Sequence, residues 1–308
     1  MKHFFLFFCI CLTLTVCVTA QPSQISYAYA VIPETVRPGE PVTIGAAGGV
    51  KQALLHVNGR QLTKAAFFPI PAADGKPGFM AAVLTVPTTA SPGPAVIILE
   101  DENGVIDEIP LTIMDRHFNS ETIALNQALT GIRRDASPQR AAEVERLWAI
   151  LTTTGTEVYH TGAFVQPVLS NRRTSFFGDR RVFRYSNNAT DTSIHFGVDY
   201  GIPTGTRVIA CGSGRVVLAV MRIVTGNTIV IEHAPGIYSL YYHLDKIEVE
   251  EGAMVNTGTM LGFSGVTGLA TGPHLHWEIR VNGEPTDIDS FLTRPILDKD
   301  LIISKIYH

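Results

Sequence analysis

The sequence predicts a mainly β protein: an N-terminal Ig-like β-sandwich, a short helical linker and a C-terminal antiparallel β domain. Three observations carry this. Residues 25 to 115, and again 155 to 293, read as short β-rich runs separated by glycine, proline and asparagine turns. Between them the apolar pattern changes to a period of 3.6. The 308 residues suit about two domains, and 45% apolar against 17% charged residues is enough to bury ordinary cores. A net charge of −4 gives no electrostatic reason to expect nucleic acid or an anionic membrane as a partner.

Residues 1–20 read as a targeting segment. "MKHFFLFFCICLTLTVCVTAQ" has one early lysine, an apolar run from Phe4 to Val18 and a small-residue cleavage site before Gln21, the marks of a signal peptide for export to the periplasm or cell envelope. Lipid attachment at Cys17 is the rival reading, weakened by Val16 where a small residue is wanted. An uncleaved anchor is disfavoured, because about 15 apolar residues are short for a bilayer. Cys9, Cys11 and Cys17 all lie here, so cleavage would leave Cys211 alone and no intramolecular disulfide. Cys211, on an apolar strand running into a glycine turn, reads as a small buried thiol.

Residues 21–116 form the expected sandwich. Asn58-Gly59 is a hairpin signal, since both residues tolerate positive φ. No cluster of catalytic residue types occurs here, and His56 reads as structural. Residues 117–154 form the expected linker: Ser137 is an N-cap with Pro138 at the first helical position, and Ala141, Val144, Leu147, Trp148 and Leu151 share a face expected to pack on a neighbouring domain. "SETIALNQALTGI" reads as an earlier amphipathic helix. Residues 155–294 show strands and tight turns with no helix of any length, and residues 295–308 read as a tail.

The chemistry-bearing residues lie in the last domain. In "PHLHWEIR" strand alternation places His274 and His276 on one side and Leu275 and Trp277 on the other. In "HFGVDYG" His195 and Asp199 are four apart, close on a strand or a helix alike, while "YSLYYHL" ends a strand with His243. Catalytic zinc takes three imidazole or carboxylate ligands and keeps a position open to water. His195, Asp199 and one histidine of the pair supply such a set, leaving the other and His243 for acid–base work or oxyanion stabilisation. Each motif alone is weak; their joint presence in one small domain is much stronger. His233 reads as structural.

These segments, with "SFFGDRR", "GNTIVIEHAPGIYSLYYHL" and "GAMVNTGTMLGFSGVTGLATGPHLHWEIR", resemble the lysostaphin-type, LytM-like zinc metalloendopeptidases over residues 164 to 293. The resemblance implies a compact antiparallel β peptidase domain with a groove and one Zn2+ per chain held by His195, Asp199 and His276. It implies His274 as general base and His243 as the second catalytic histidine. Arg180 or Arg181 matches an arginine expected to order the groove, which Tyr241 could line. The implied substrates are stem or cross-link peptides of bacterial peptidoglycan, and the sandwich is left to engage a cell-envelope protein partner. A catalytically silent scaffold or amidase activator is the alternative. A biotinyl or lipoyl carrier is set aside, since "EEGAMVNTGTMLG" has no lysine at its tip.

Overall fold

The computed structural model describes residues 28–307 and is mainly β. The targeting segment with Cys17 lies outside the described residues. Among the described residues no helix is long and apolar enough to cross a membrane.

Two sheets build the N-terminal part. Tyr29–Ile32, Pro41–Ala46, Phe79–Thr85 and Phe68–Ile70 lie side by side in that order; so do Thr35–Val36, Gly104–Ile113, Gly93–Asp101, Gln52–Val57 and Arg60–Ala66. Alternation turns Ile44 and Leu84 of the first sheet and Leu55 and Ile97 of the second into one buried core. Asn58 and Gly59 close the hairpin between Gln52–Val57 and Arg60–Ala66, with φ of 51° and 72°. The other face of the first sheet, through Phe68, Phe79, Ala81 and Val83, joins the core of the C-terminal part.

The C-terminal part is built on a ten-stranded sheet whose main path runs Arg173–Ser175, Val198–Tyr200, Leu275–Val281, Ile237–Ile247, Gly226–Ala234, Gly214–Arg222, Met254–Val255. Every pairing along it is antiparallel. Trp277, Tyr241, Ile229 and Ile279 fill the core beneath it.

Residues 117–154 depart from the helical reading. Ser120–Ala124 is a strand, paired parallel with Arg180–Arg184, which in turn pairs antiparallel with Thr190–Ile194. The adjacent β-branched Thr122 and Ile123 favour that state, and helix α1 covers only Gln127–Arg133 behind an Asn126 cap. Helix α2, Pro138–Thr152, is capped by Ser137 as expected. Its buried side is Leu151, with Leu147 and Ile150, set on Leu218, Val230, Tyr238 and Leu240. Trp148 is not a core residue: the stripe it shares with Val144 lies further round the helix, and 56% of its surface is exposed.

Two short helices were not read from the sequence. Helix α3 spans Ile288–Thr293, and the expected tail holds helix α4, Lys299–Tyr307. The buried faces of Ile302 and Ile306, four apart, lie against the N-terminal sheet, where a Cβ at Gly45 would sit 2.2 Å from Ile302 Cγ2. The missing side chain lets the helix settle there.

Candidate active site

Sheet register assembles most of the site. Asp199 on Val198–Tyr200 lies directly opposite His276 on Leu275–Val281, which lies opposite Tyr242 on the next strand. The three side chains therefore form one row across the sheet. His195 joins from the segment just before it. A Cβ at Gly197 would sit 2.2 Å from the Trp277 carbonyl oxygen, so only glycine lets this segment lie flat on the neighbouring strand.

The resulting cluster is tight and buried. His195 Nε2 lies 3.1 Å from Asp199 Oδ1 and 2.9 Å from His276 Nδ1, while His276 Nδ1 lies 2.7 Å from the same Asp199 oxygen. One donor atom from each residue falls within 4.8 Å of the others. Both rings are held from behind. His195 Nδ1 donates to the Phe176 carbonyl at 2.8 Å, which leaves Nε2 with its lone pair toward the cluster. His276 Nε2 lies 2.8 Å from Glu278 Oε1, which aims Nδ1 inward, and Tyr242 stacks on its ring at 5.1 Å.

Electrostatics favour a cation at this point. Burial alone would raise the Asp199 carboxyl, but His195 and His276 hold it well below the usual carboxylate range. Burial likewise opposes charge on His276, yet the Asp199 and Glu278 carboxylates push it up to about 9. Glu278, paired with Arg280 Nε at 2.7 Å, is pulled down to about 2 against its own desolvation by Arg280 and His276. A buried imidazole clamped between two carboxylates marks a place where positive charge is wanted. Two imidazoles and one carboxylate on convergent donor atoms fit a divalent transition metal.

His274 and His243 stand beside this cluster with their rings 4.7 Å apart. His274 Nδ1 donates to the Gly272 carbonyl at 2.8 Å and its Nε2 lies 3.8 Å from Asp199 Oδ1. His243 Nδ1 donates to the Thr267 carbonyl at 2.7 Å, and burial pushes its pKa down to about 3. Each ring therefore keeps a free Nε2. His243 adopts φ of +62°, uncommon for a side chain this bulky. Strand pairing gains a residue at that point, since Tyr241 pairs with Ile229 while Leu244 pairs with Asn227. This bulge resets the alternation and turns both Tyr242 and His243 toward the site.

The bulge also corrects the expectation for Tyr241. It is wholly buried, with its hydroxyl accepting from Cys211 N at 2.9 Å, and it lines no groove. Arg180 is likewise outside the site: it donates to the Thr88 carbonyl and packs over Phe118, because neighbours on a strand face opposite ways. Arg181 faces the cluster and donates to Asp199 Oδ2 at 2.6 Å. His233 lies elsewhere, donating to the Ser213 carbonyl with Ser239 Oγ 2.7 Å from its other nitrogen. Sequence reasoning missed Tyr242 and Glu278, and also Glu121, whose Oε1 accepts from Arg181 Nε at 2.7 Å. Glu278 carried a signal, two residues beyond His276 on one strand face; Glu121, sixty residues from Arg181, carried none.

A cavity of about 210 Å³ opens at the cluster, and its lining includes Ile123, Leu125, Arg133, Thr225, Leu269 and Thr271. A second, of about 410 Å³, shares Ile123, Arg181, Asp199 and His274 with it. The two meet at the cluster.

Residues 193–288 match the sequence profile of peptidase family M23. A DD-carboxypeptidase/endopeptidase, Mpg, of Neisseria meningitidis is 37% identical over 134 residues, 43% of this chain and 30% of its own length. The peptidoglycan DD-endopeptidase ShyA of Vibrio cholerae is 43% identical over 93 residues, 30% of this chain and 22% of its own. The chain thus spans under a third of the length of these curated relatives. A crystal structure from Pseudomonas aeruginosa, described as a candidate M23 peptidase, shares the fold with a TM-score of 0.58 at 22% identity, covering 83% of this chain and 93% of that one. The matched stretch contains all of His195, Asp199 and His276, and residues 193–288 are a peptidase family M23 domain.

Proposed function

We propose that the chain is an exported zinc metalloendopeptidase that hydrolyses stem or cross-link peptides of bacterial peptidoglycan. One observation carries the reading: His195 Nε2, Asp199 Oδ1 and His276 Nδ1 converge within 4.8 Å, with two further imidazoles beside them. The named activities of the M23 relatives support the substrate class. Zinc held by the three residues would polarise the scissile carbonyl and acidify the attacking water.

The remaining work falls to this chain's own groups. His274, with Nδ1–H engaged by Gly272, has Nε2 placed to take the proton of the attacking water and to pass it to the departing amide nitrogen as the C–N bond breaks. His243 presents an acceptor at Nε2 while neutral, so it orients water or the leaving amine; it donates to an oxyanion only after gaining a proton. Two cavities that share Ile123, Arg181, Asp199 and His274 give a peptide room to approach these groups.

The test is incubation of the purified chain with muropeptides of defined cross-link, with zinc and then with a chelator, read by mass spectrometry. Cleavage that stops on chelation and returns with zinc is expected. His274→Ala should keep about one zinc per chain and lose about 10²–10⁴-fold in turnover. A chain that binds zinc through His195, Asp199 and His276 yet cuts no muropeptide would overturn the enzyme reading in favour of the scaffold.

A further inference from the structure

Asp199 offers its two oxygens in different directions. Oδ1 faces His195 and His276, whereas Oδ2 is taken by Arg181 Nη2 at 2.6 Å. Arg181 thereby selects the oxygen presented to the cluster. A guanidinium so close also carries a cost, since its charge repels a divalent cation in the same buried space. The structure answers that charge from an unexpected direction. Glu121 lies beside Arg181 in register across the parallel ladder of Ser120–Ala124 and Arg180–Arg184. Its Oε1 accepts from Arg181 Nε at 2.7 Å and from Ser175 Oγ at 2.8 Å, and Arg181 Nη2 also donates to Ser175 Oγ at 2.7 Å.

Glu121 belongs to the region expected to be a helical linker and lies well upstream of the profile match at 193–288. We propose that Glu121 is a positioning residue of the metal site, acting through Arg181 to orient Asp199 and to offset the guanidinium charge. The upstream strand is then part of the site's support rather than a spacer. The inference rests on the metal-site reading above, and it assigns no contact between Glu121 and substrate or metal.

The test measures zinc affinity of the full chain by competition with a chromophoric chelator, independently of turnover, and follows folding by circular dichroism. Glu121→Gln should weaken zinc binding about tenfold while the fold persists, the scale seen when a supporting partner of a metal ligand is removed. Adding Glu121→Gln to Arg181→Gln should change affinity by less than about twofold, because the route is already cut. Unchanged affinity in Glu121→Gln, or an equal loss with and without Arg181, overturns the proposal. Should Glu121→Gln fail to fold, Glu121→Asp serves: its carboxylate retreats from Arg181 and should still weaken binding severalfold, and wild-type affinity there overturns the proposal. Zinc uptake by His195→Ala equal to that of the unsubstituted chain overturns the metal-site reading and this inference with it.

Discussion

Single side chains in this protein are decided by what lies behind them. His195 and His276 present opposite ring nitrogens to one point because a carbonyl holds the first and a carboxylate the second. His233 shows the same logic without a ligand. It is buried, donates to the Ser213 carbonyl, and burial holds its pKa down to about 3 from the usual 6.5. The unfolded chain takes up that proton below about pH 6.5 and the folded chain only near 3, so this contribution to stability is complete above 6.5 and falls away as pH drops. One such group contributes a slope of about 1.4 kcal/mol per pH unit within the window. His233→Gln should flatten the pH dependence of unfolding between pH 6 and 4 by about that slope; equal slopes in urea titrations of both proteins would refute the assignment. Cys211, buried and pushed up to about 12 by desolvation, has no thiolate character to offer as a nucleophile.

At the scale of elements, the site depends on two local departures from regular strand. The bulge at Tyr242 and His243 turns both residues inward, and Gly197 lets the approach to Asp199 lie against Trp277. Gly197→Ala has no room for its methyl at 2.2 Å from a backbone oxygen. The change should cost about 1–3 kcal/mol in denaturant unfolding. It should also lower the metal content of the folded protein, measured by elemental analysis, because His195 and Asp199 flank the displaced residue. Full zinc occupancy in this variant would show that the close approach does not set the ligand geometry. Helix α2 illustrates a different limit. Its cap at Ser137 and its apolar positions were legible, yet two overlapping apolar stripes left open which would be covered, and the sheet covered the one through Leu147 and Leu151.

Over the whole molecule, the N-terminal sheets and the M23 domain share one continuous core, with Phe68, Phe79 and Val83 of the first joined to Phe291, Ile296 and Ile302 of the second. Helix α4 closes this union by returning the end of the described chain to the first sheet. Ile302→Ala should therefore destabilise by about 2–5 kcal/mol. The loss should appear in tryptophan fluorescence, although both tryptophans, Trp148 and Trp277, lie outside the N-terminal sheets. An unmoved fluorescence midpoint would mean that the two parts unfold separately.

Local pattern by itself determined the mainly β class, the Asn58-Gly59 hairpin, the capped helix at Ser137 and the paired outlook of His274 and His276, because each depends on residues within a few positions along the chain. Tertiary structure alone decided that Tyr242 rather than Tyr241 faces the site, that Arg181 rather than Arg180 reaches Asp199, and that Glu121 stands behind it. Those outcomes depend on a bulge, on strand register and on a parallel pairing sixty residues apart. Such choices are settled by which packed arrangement buries most while leaving fewest polar groups unpaired, a comparison no short stretch of sequence contains.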